Sequence, residues 1–331
     1  MWSVHHIIAT DVFKEDREED IDEAWRNTVL QPCLDIVKRF LKSDHDNIII
    51  EYKMSTFINN EEFNKKKVIF IMGATGTGKS RLSIDVATHF GGEIINSDKM
   101  QVYKGLEIVT NKITHAEKQG VRHYLLGEIE QDSDFAAEDF CLKVVVYIEK
   151  ILKTQRVPII VGGSNSYIEK LVEDPVSMFK YKYDSCFIWI DVEKSVLNRR
   201  VDMRVDQMVK AGLVDEVRQI FIPDADYTKG NRRSIGVPEM DRYLREETNI
   251  DGDDESKKMI LQASISIIKR NTCMLICNQL DKIQRLISEK MWSVHHIIAT
   301  DVFKEDREED IDEAWRNTVL QPCLDIVKRF L

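Results

Sequence analysis

The apolar residues of this chain change their spacing midway. Up to Ile190 they fall in short continuous runs: VIFIM at Val68–Met72, EIIN at Glu93–Asn96, VPIIV at Val157–Val161 and FIWI at Phe187–Ile190. Runs of that length, closed by glycine or polar residues, mark strands buried on both faces. Between them lie helically spaced stretches, Lys79–His89 and Ala136–Thr154, the second behind the acidic start DSDFAAEDF. Such alternation predicts an α/β fold, a parallel sheet with helices on both faces and ligands at the carboxyl ends of its strands. From Val192 onward the spacing is helical. RRVDMRVDQMVKAGLVDEVRQIF and SKKMILQASISIIKRNTCMLICNQLDKIQRLISEK predict a smaller, mostly helical subdomain over 195–290. The polar REETNIDGDDESKK between its halves predicts a mobile loop.

One segment occurs twice. Residues 1–41 recur unchanged as 291–331. Within each copy WSVHHIIATD predicts a strand, and IDEAWRNTVLQPCLDIVKRFL an amphipathic helix kinked near Pro32 and Pro322. Full identity points to a recent or assembled duplication, because independent copies diverge. Met54 reads as the native start, so residues 1–53 are expected to be an extra copy of the C-terminal tail. The expected organisation is that extra copy, an α/β core over 66–194, the helical subdomain over 195–290, and a strand and helix over 291–331 returning to the core. A sheet with one slot for this unit would leave the two copies in competition.

Composition narrows the class. With 43% hydrophobic and 31% charged residues, a soluble globular protein is expected. No apolar run approaches the length of a membrane span, so no membrane partner is expected. The acidic start, with Asp16, Glu18, Glu19 and Asp20, shows no targeting signal. An intracellular protein of the plastid or cytosol is expected, as a monomer. The cysteines form no CxxC pair and read as reduced thiols. Cys273 and Cys277, four apart on a helix, are expected in the core rather than on zinc. Each repeat copy holds nine acids and five bases, so the two supply −8 of the net −10. No basic surplus remains for a polyanion, and no nucleic-acid partner is expected.

The chemistry begins after the first strand. GATGTGKS, Gly73–Ser80, satisfies G-x-x-x-x-G-K-S between a strand and a helix, the setting of a phosphate-binding loop. This makes the predicted sheet P-loop NTPase-like. Gly73, Ala74, Thr75, Gly76, Thr77 and Gly78 would turn backbone N–H groups toward an anion, aided by the helix N-terminus. Lys79 adds a point charge, and Ser80 a hydroxyl suited to Mg²⁺. Asp98, just past the second strand, either faces that ligand or caps the next turn. Ser164, after Gly162 and Gly163, either donates to phosphate or caps the following helix. Arg232 and Arg233 are either solvated or reach a diphosphate through paired hydrogen bonds. Lys269 is a weaker basic candidate. Asp191 could serve as a metal partner or a cap.

Taken in order, GATGTGKSRLS, EIINSDKMQVYKGLEIVTN, GVRHYLLGEIE, VPIIVGGSNSYI, CFIWIDV and RRSIGVPEMDRYL resemble the plant adenylate isopentenyltransferases, which begin cytokinin synthesis. The resemblance runs from about Val68 to Asp301. A kinase would share the first motif alone. More distantly the chain resembles tRNA dimethylallyltransferases, whose eukaryotic members often append a zinc finger that this sequence lacks. The resemblance implies transfer of a dimethylallyl group from dimethylallyl diphosphate to N6 of a free adenine nucleotide, with Mg²⁺ assisting and ATP or ADP favoured over AMP. It implies that the loop holds the donor's diphosphate while the nucleotide binds alongside. Asp98 then matches the base that takes the N6 proton, Lys79, Arg233 and Thr75 match further catalytic positions, and Ser164 and Arg232 join the phosphate contacts. In one departure, Asn278 stands before Gln279 where relatives tend to carry a basic residue. The alternatives are a small-molecule kinase with ATP in the loop, a tRNA dimethylallyltransferase, and a non-enzymatic phosphate-loop regulator.

Overall fold

The computed structural model of the protein describes residues 65–175, 177–247, 253–304 and 307–331. The leading repeat copy and Met54 lie outside the described residues, as do 248–252 of the segment expected to form a mobile loop.

Six parallel strands form one sheet in the order β3-β2-β4-β1-β5-β6. They are β1 (Lys66–Met72), β2 (Gly92–Asn96), β3 (His123–Tyr124), β4 (Val157–Val161), β5 (Tyr183–Asp191) and β6 (Val294–Ile298). The period-2 geometry of a strand divides β1 between the two faces. Val68, Phe70 and Met72 join one buried cluster, Ile69 and Ile71 the other. The first cluster packs under α2 (Ala137–Lys153) and α3 (Asn165–Glu173); the second packs under α1 (Lys79–Phe90). A continuous apolar run in β1 is what burial on both faces requires. The two-residue β3 is too short for the sequence pattern to announce it.

A single turn, α4 (Phe179–Lys182), leads into β5. Then come the helices α5 (Lys194–Lys210), α6 (Leu213–Ile220), α7 (Val237–Glu247) and α8 (Asp254–Ser288). They build a third cluster around Leu213, Met240 and Ile268. In α8 the N-cap Asp253 accepts the Ser256 N–H, which satisfies one of the donors left free at a helix start. Cys273 and Cys277 are only half-buried on this helix, short of the core position expected of them, whereas Cys141, Cys186 and Cys323 are buried.

The trailing repeat copy supplies β6, paired with β5 from Phe187↔Val294 to Asp191↔Ile298. Its helical part is α9 (Glu308–Trp315), a π-turn over Arg316–Leu320, and α10 (Gln321–Phe330). Pro322 lacks the N–H that would continue an α-helical ladder, and the wider turn ends two residues before it, at Leu320. The kink expected at Pro322 therefore takes the form of a π-turn.

Phe70 stacks on Phe187 at 4.7 Å and meets Phe179 edge-on at 5.8 Å in the middle of the sheet. Phe70→Ala should destabilise the protein by about 3–5 kcal/mol, the usual cost of emptying a large buried aromatic site. Urea unfolding of the two proteins checks this through the shift in midpoint.

Candidate active site

Strands β2, β4 and β1 are neighbours, so the loops leaving their carboxyl ends meet at one place. The loop after β1 is the glycine-rich one. Gly78 has φ +91°, and a Cβ there would lie 2.7 Å from the Trp315 ring, so conformation and packing both demand glycine. Trp315 is itself fixed by its indole N–H to Asp85 Oδ2 at 2.9 Å and by Arg81 stacked 4.7 Å above it. The trailing repeat copy thus supports the phosphate loop from below. Inside the loop, Thr77 Oγ1 and Lys79 Nζ both donate to the Ala74 carbonyl, at 2.9 and 2.5 Å. Burial pushes the Lys79 ammonium down to about 8; Asp98 raises it in part, and Arg204 lowers it further.

The second loop carries Asp98. Its Oδ1 accepts the N–H groups of Met100 (2.9 Å) and Gln101 (3.4 Å), the turn-capping role that its position allowed. Oδ2 has no hydrogen bond among the described residues and remains available to a ligand. Asn96 braces the turn from beneath, donating to the carbonyls of Leu125 (2.8 Å) and Asp98 (3.2 Å). From the third loop, Ser164 occupies the N-cap position of α3 without capping it. Its hydroxyl accepts the Lys99 N–H at 2.8 Å, tying the third loop to the Asp98 turn.

Two residue types at the site left no mark in the sequence pattern. Gln279 of α8 accepts the Thr75 N–H at 2.8 Å and donates to the Gly163 carbonyl at 3.1 Å, joining the first and third loops. Its neighbour Asn278 is exposed and lines neither cavity. Arg200 and Arg204, four apart on α5, face the loop. Arg204 donates to Thr75 Oγ1 at 2.8 Å, and Arg200 Nε to the Gly76 carbonyl at 3.0 Å. Burial, with Arg200 nearby, lowers Arg204 to about 10 against the opposing pull of Asp98. The i,i+4 spacing of two arginines in RRVDMRVDQ was the available signal, but it equally describes a solvated helix face.

Two adjoining cavities open here. One, of about 420 Å³, contains Gly76, Gly78, Lys79, Ser80 and Arg200 in its wall. The other, of about 380 Å³, is lined by Lys99, Ser164, Arg233 and the apolar Val109, Met208 and Ile235. Both share Thr75, Asp98, Gln101, Asn111, Arg204 and Gln279. Asp98 therefore stands where the two cavities meet. Arg233 is in the second cavity, donating to Tyr103 Oη at 3.0 Å, and the positive charge of Arg233, added to burial, lowers Lys99. Arg232 lines neither cavity and donates to the Ile220 carbonyl at 2.6 Å. Lys269 pairs with Asp206 at 2.7 Å and Asp191 with His296 at 3.0 Å, and neither lines either cavity.

A phosphate loop, a carboxylate at the junction of two cavities and the cations Lys79, Arg200 and Arg204 beside it suit an enzyme that joins a phosphorylated ligand to a second substrate. A family model described as IPP transferase matches residues 101–181 and 173–282. The chain belongs to this family and is a prenyltransferase. It is 54% identical over 269 residues to adenylate isopentenyltransferase 5, chloroplastic, of Arabidopsis thaliana, covering 81% of each chain. It is 48% identical to adenylate isopentenyltransferase 3, chloroplastic, of the same plant, covering 81% of this chain and 80% of that one. Among solved structures, a eukaryotic dimethylallyltransferase acting on tRNA superposes with a TM-score of 0.66 at 24% identity, covering 80% of this chain and 79% of that one. That likeness is one of fold.

Lys79 is charged below about pH 8 and neutral above it. The KM for an anionic ligand of the loop should therefore rise as pH passes upward through 8, although the ligand itself is already fully ionised there. Lys79→Arg, which stays charged, should flatten that limb of the profile. Steady-state kinetics from pH 6.5 to about 9.5 tests both.

Proposed function

We propose that the protein transfers the dimethylallyl group of dimethylallyl diphosphate to N6 of a free adenine nucleotide, the step that begins cytokinin synthesis. The meeting of two chambers at Asp98 supports this reading. Two substrates in adjoining chambers would bring their reacting atoms together beside the one carboxylate common to both walls. The donor's diphosphate belongs in the loop chamber, against the N–H groups of Gly76–Ser80 and the Lys79 ammonium. The nucleotide belongs in the second, with its adenine among Val109, Met208 and Ile235. Lys99 and Arg233, two cations close together there, favour ATP or ADP over AMP by offering charge to the additional phosphates.

The N6 lone pair is delocalised into the purine ring and makes a weak nucleophile. As it forms the new bond to the allylic carbon, the carbon–oxygen bond to diphosphate breaks and its electron pair leaves with the oxygen. Asp98 takes the proton that N6 must lose, assistance worth ~10²–10⁴-fold in rate. Lys79 and the loop N–H groups meet the charge arriving on diphosphate, and Thr75 holds the junction between the chambers. Mg²⁺ suits the donor chamber. Among the described residues no three His, Cys, Asp or Glu side chains converge, so a metal would take its oxygens chiefly from phosphate, as Mg²⁺ commonly does. Ser80 Oγ is the side-chain oxygen offered to it. When bound, the ion would neutralise part of the diphosphate charge. Plastid or cytosol is the proposed place of reaction, the first in keeping with the names of both Arabidopsis relatives.

Incubation with Mg²⁺, dimethylallyl diphosphate and ATP should yield a nucleotide heavier by C₅H₈ on mass spectrometry. Asp98→Asn keeps the turn-capping oxygen and loses the base, so turnover should fall ~10²–10⁴-fold while the fold persists. ADP without a prenylated product would establish a kinase. Prenyl incorporated into added tRNA and not into nucleotide would establish a tRNA-modifying enzyme.

A further inference from the structure

Among the described cysteines, Cys141, Cys186 and Cys323 are buried, and only Cys273 and Cys277 reach solvent. These two lie four apart on the flank of α8 that meets the first turns of α5. Lys194, the first residue of α5, hydrogen-bonds through its ammonium with the Cys277 sulfur, which raises it above its ordinary value. Further along the same face of α5, the Asp202 carboxylate stands beside Cys273. Burial first, and then Asp202, push the Cys273 thiol up. Cys277, with an ammonium at its side, is the member of the pair fitted to react as a thiolate. Asn198 lies between Lys194 and Asp202 on that face. Its Oδ1 and the Oδ1 of Asp202 are buried with no hydrogen-bond partner among the described residues. Acceptors left in that state are costly, so this seam gains from N–H donors.

We propose that Cys277 is a modification site, at which a small acidic disulfide of the glutathione class leaves one half of itself and lowers activity. The Cys277 thiolate attacks one sulfur of glutathione disulfide. A protein–glutathione S–S bond forms, the original S–S bond breaks, and the departing glutathione thiolate takes up a proton. The protein thiol is thereby oxidised, and one glutathione is released in reduced form. Lys194 meets a carboxylate of the attached tripeptide, whose peptide N–H groups suit the acceptors of Asn198 and Asp202. A bond between Cys273 and Cys277 is not the product. Side chains four apart on a helix hold their Cβ atoms about 5–6 Å apart, whereas a disulfide needs about 3.5–4.5 Å. A tripeptide on a half-buried residue parts α5 from α8, and both helices hold the site. Arg204 and Arg200 of α5 donate to Thr75 Oγ1 and the Gly76 carbonyl. Gln279, two residues beyond Cys277, joins the first loop to the third. A displacement of about 1 Å at such positions costs up to ~10²-fold in rate.

The test treats the full chain, carrying Cys33→Ser, with glutathione disulfide and weighs its tryptic peptides. Cys33 lies outside the described residues and its tryptic peptide is identical to that of Cys323, so the substitution removes that ambiguity. One glutathionyl group should appear on the peptide 271–282, at Cys277 by fragmentation, while Cys141, Cys186 and Cys323 stay free. Prenyl transfer should fall with it by about ten- to a hundredfold and return on adding dithiothreitol. Amide hydrogen exchange over α5 and α8 should quicken in the adduct, a readout of their parting that needs no substrate. Cys277→Ser should keep the untreated activity and lose the response, whereas Cys273→Ser should keep both. Lys194→Met should slow formation of the adduct. Absence of a glutathionyl group from Cys277 in folded protein would overturn the proposal. So would full modification with exchange and activity unchanged. An adduct with quickened exchange in a protein that showed no prenyl transfer beforehand would fault the proposed function and leave this site standing.

Discussion

Positive charge gathered around the phosphate loop, with few carboxylates beside it among the described residues, is the constraint around which the site is arranged. Lys79, Arg200 and Arg204 lie beside the Thr75–Gly76 turn, and among the described residues Asp98 is the one carboxylate that shares their chamber. Burial depresses Lys79 and Arg204 below their ordinary values, a sign that the protein alone does not compensate them. A multivalent anion such as diphosphate does. The same imbalance favours a ligand with several negative charges, and favours its departure from carbon still more.

Holding such a site open takes a stiff frame. The parallel sheet sets the three loops side by side, and contacts from distant parts of the chain lock each of them. Gln279 joins the first loop to the third, Ser164 joins the third to the Asp98 turn, and Trp315 presses on Gly78. Arg200 rests on Phe303, so the trailing repeat copy reaches the chemistry as well as the sheet edge. The 41 residues from 291 to 331 therefore do more than extend the fold: their aromatic side chains hold the phosphate loop and one of its cations in place.

Much of this was legible in the residues. The loop announces itself because only a few residue types tolerate its backbone, and Gly78 shows why. Asp98 was legible as a strand-end carboxylate: one oxygen caps the turn, and the other accepts no hydrogen bond among the described residues. The strands of the core were legible because burial on both faces leaves a continuous apolar run. Arg200 and Arg204 were not, since an arginine on an amphipathic helix looks the same whether it faces water or a phosphate, and only the docking of α5 on the loop decides. Gln279 was hidden for the same reason, its partners Thr75 and Gly163 being 204 and 116 residues away. The motif that drew attention to Arg233 leads to the second chamber, whose wall also holds Thr75 of the loop; the 3₁₀ turn at Gly230–Arg233 sets the side chain against Tyr103.

The central claim is that the loop grips the donor's diphosphate and leaves the nucleotide to the neighbouring chamber. Inhibition of the forward reaction by inorganic diphosphate tests it most directly, with one substrate varied while the other is held saturating. Inhibition should be competitive toward dimethylallyl diphosphate and should persist when ATP is saturating. Competition with ATP, relieved by excess nucleotide and indifferent to dimethylallyl diphosphate, would place the nucleotide in the loop and contradict the assignment.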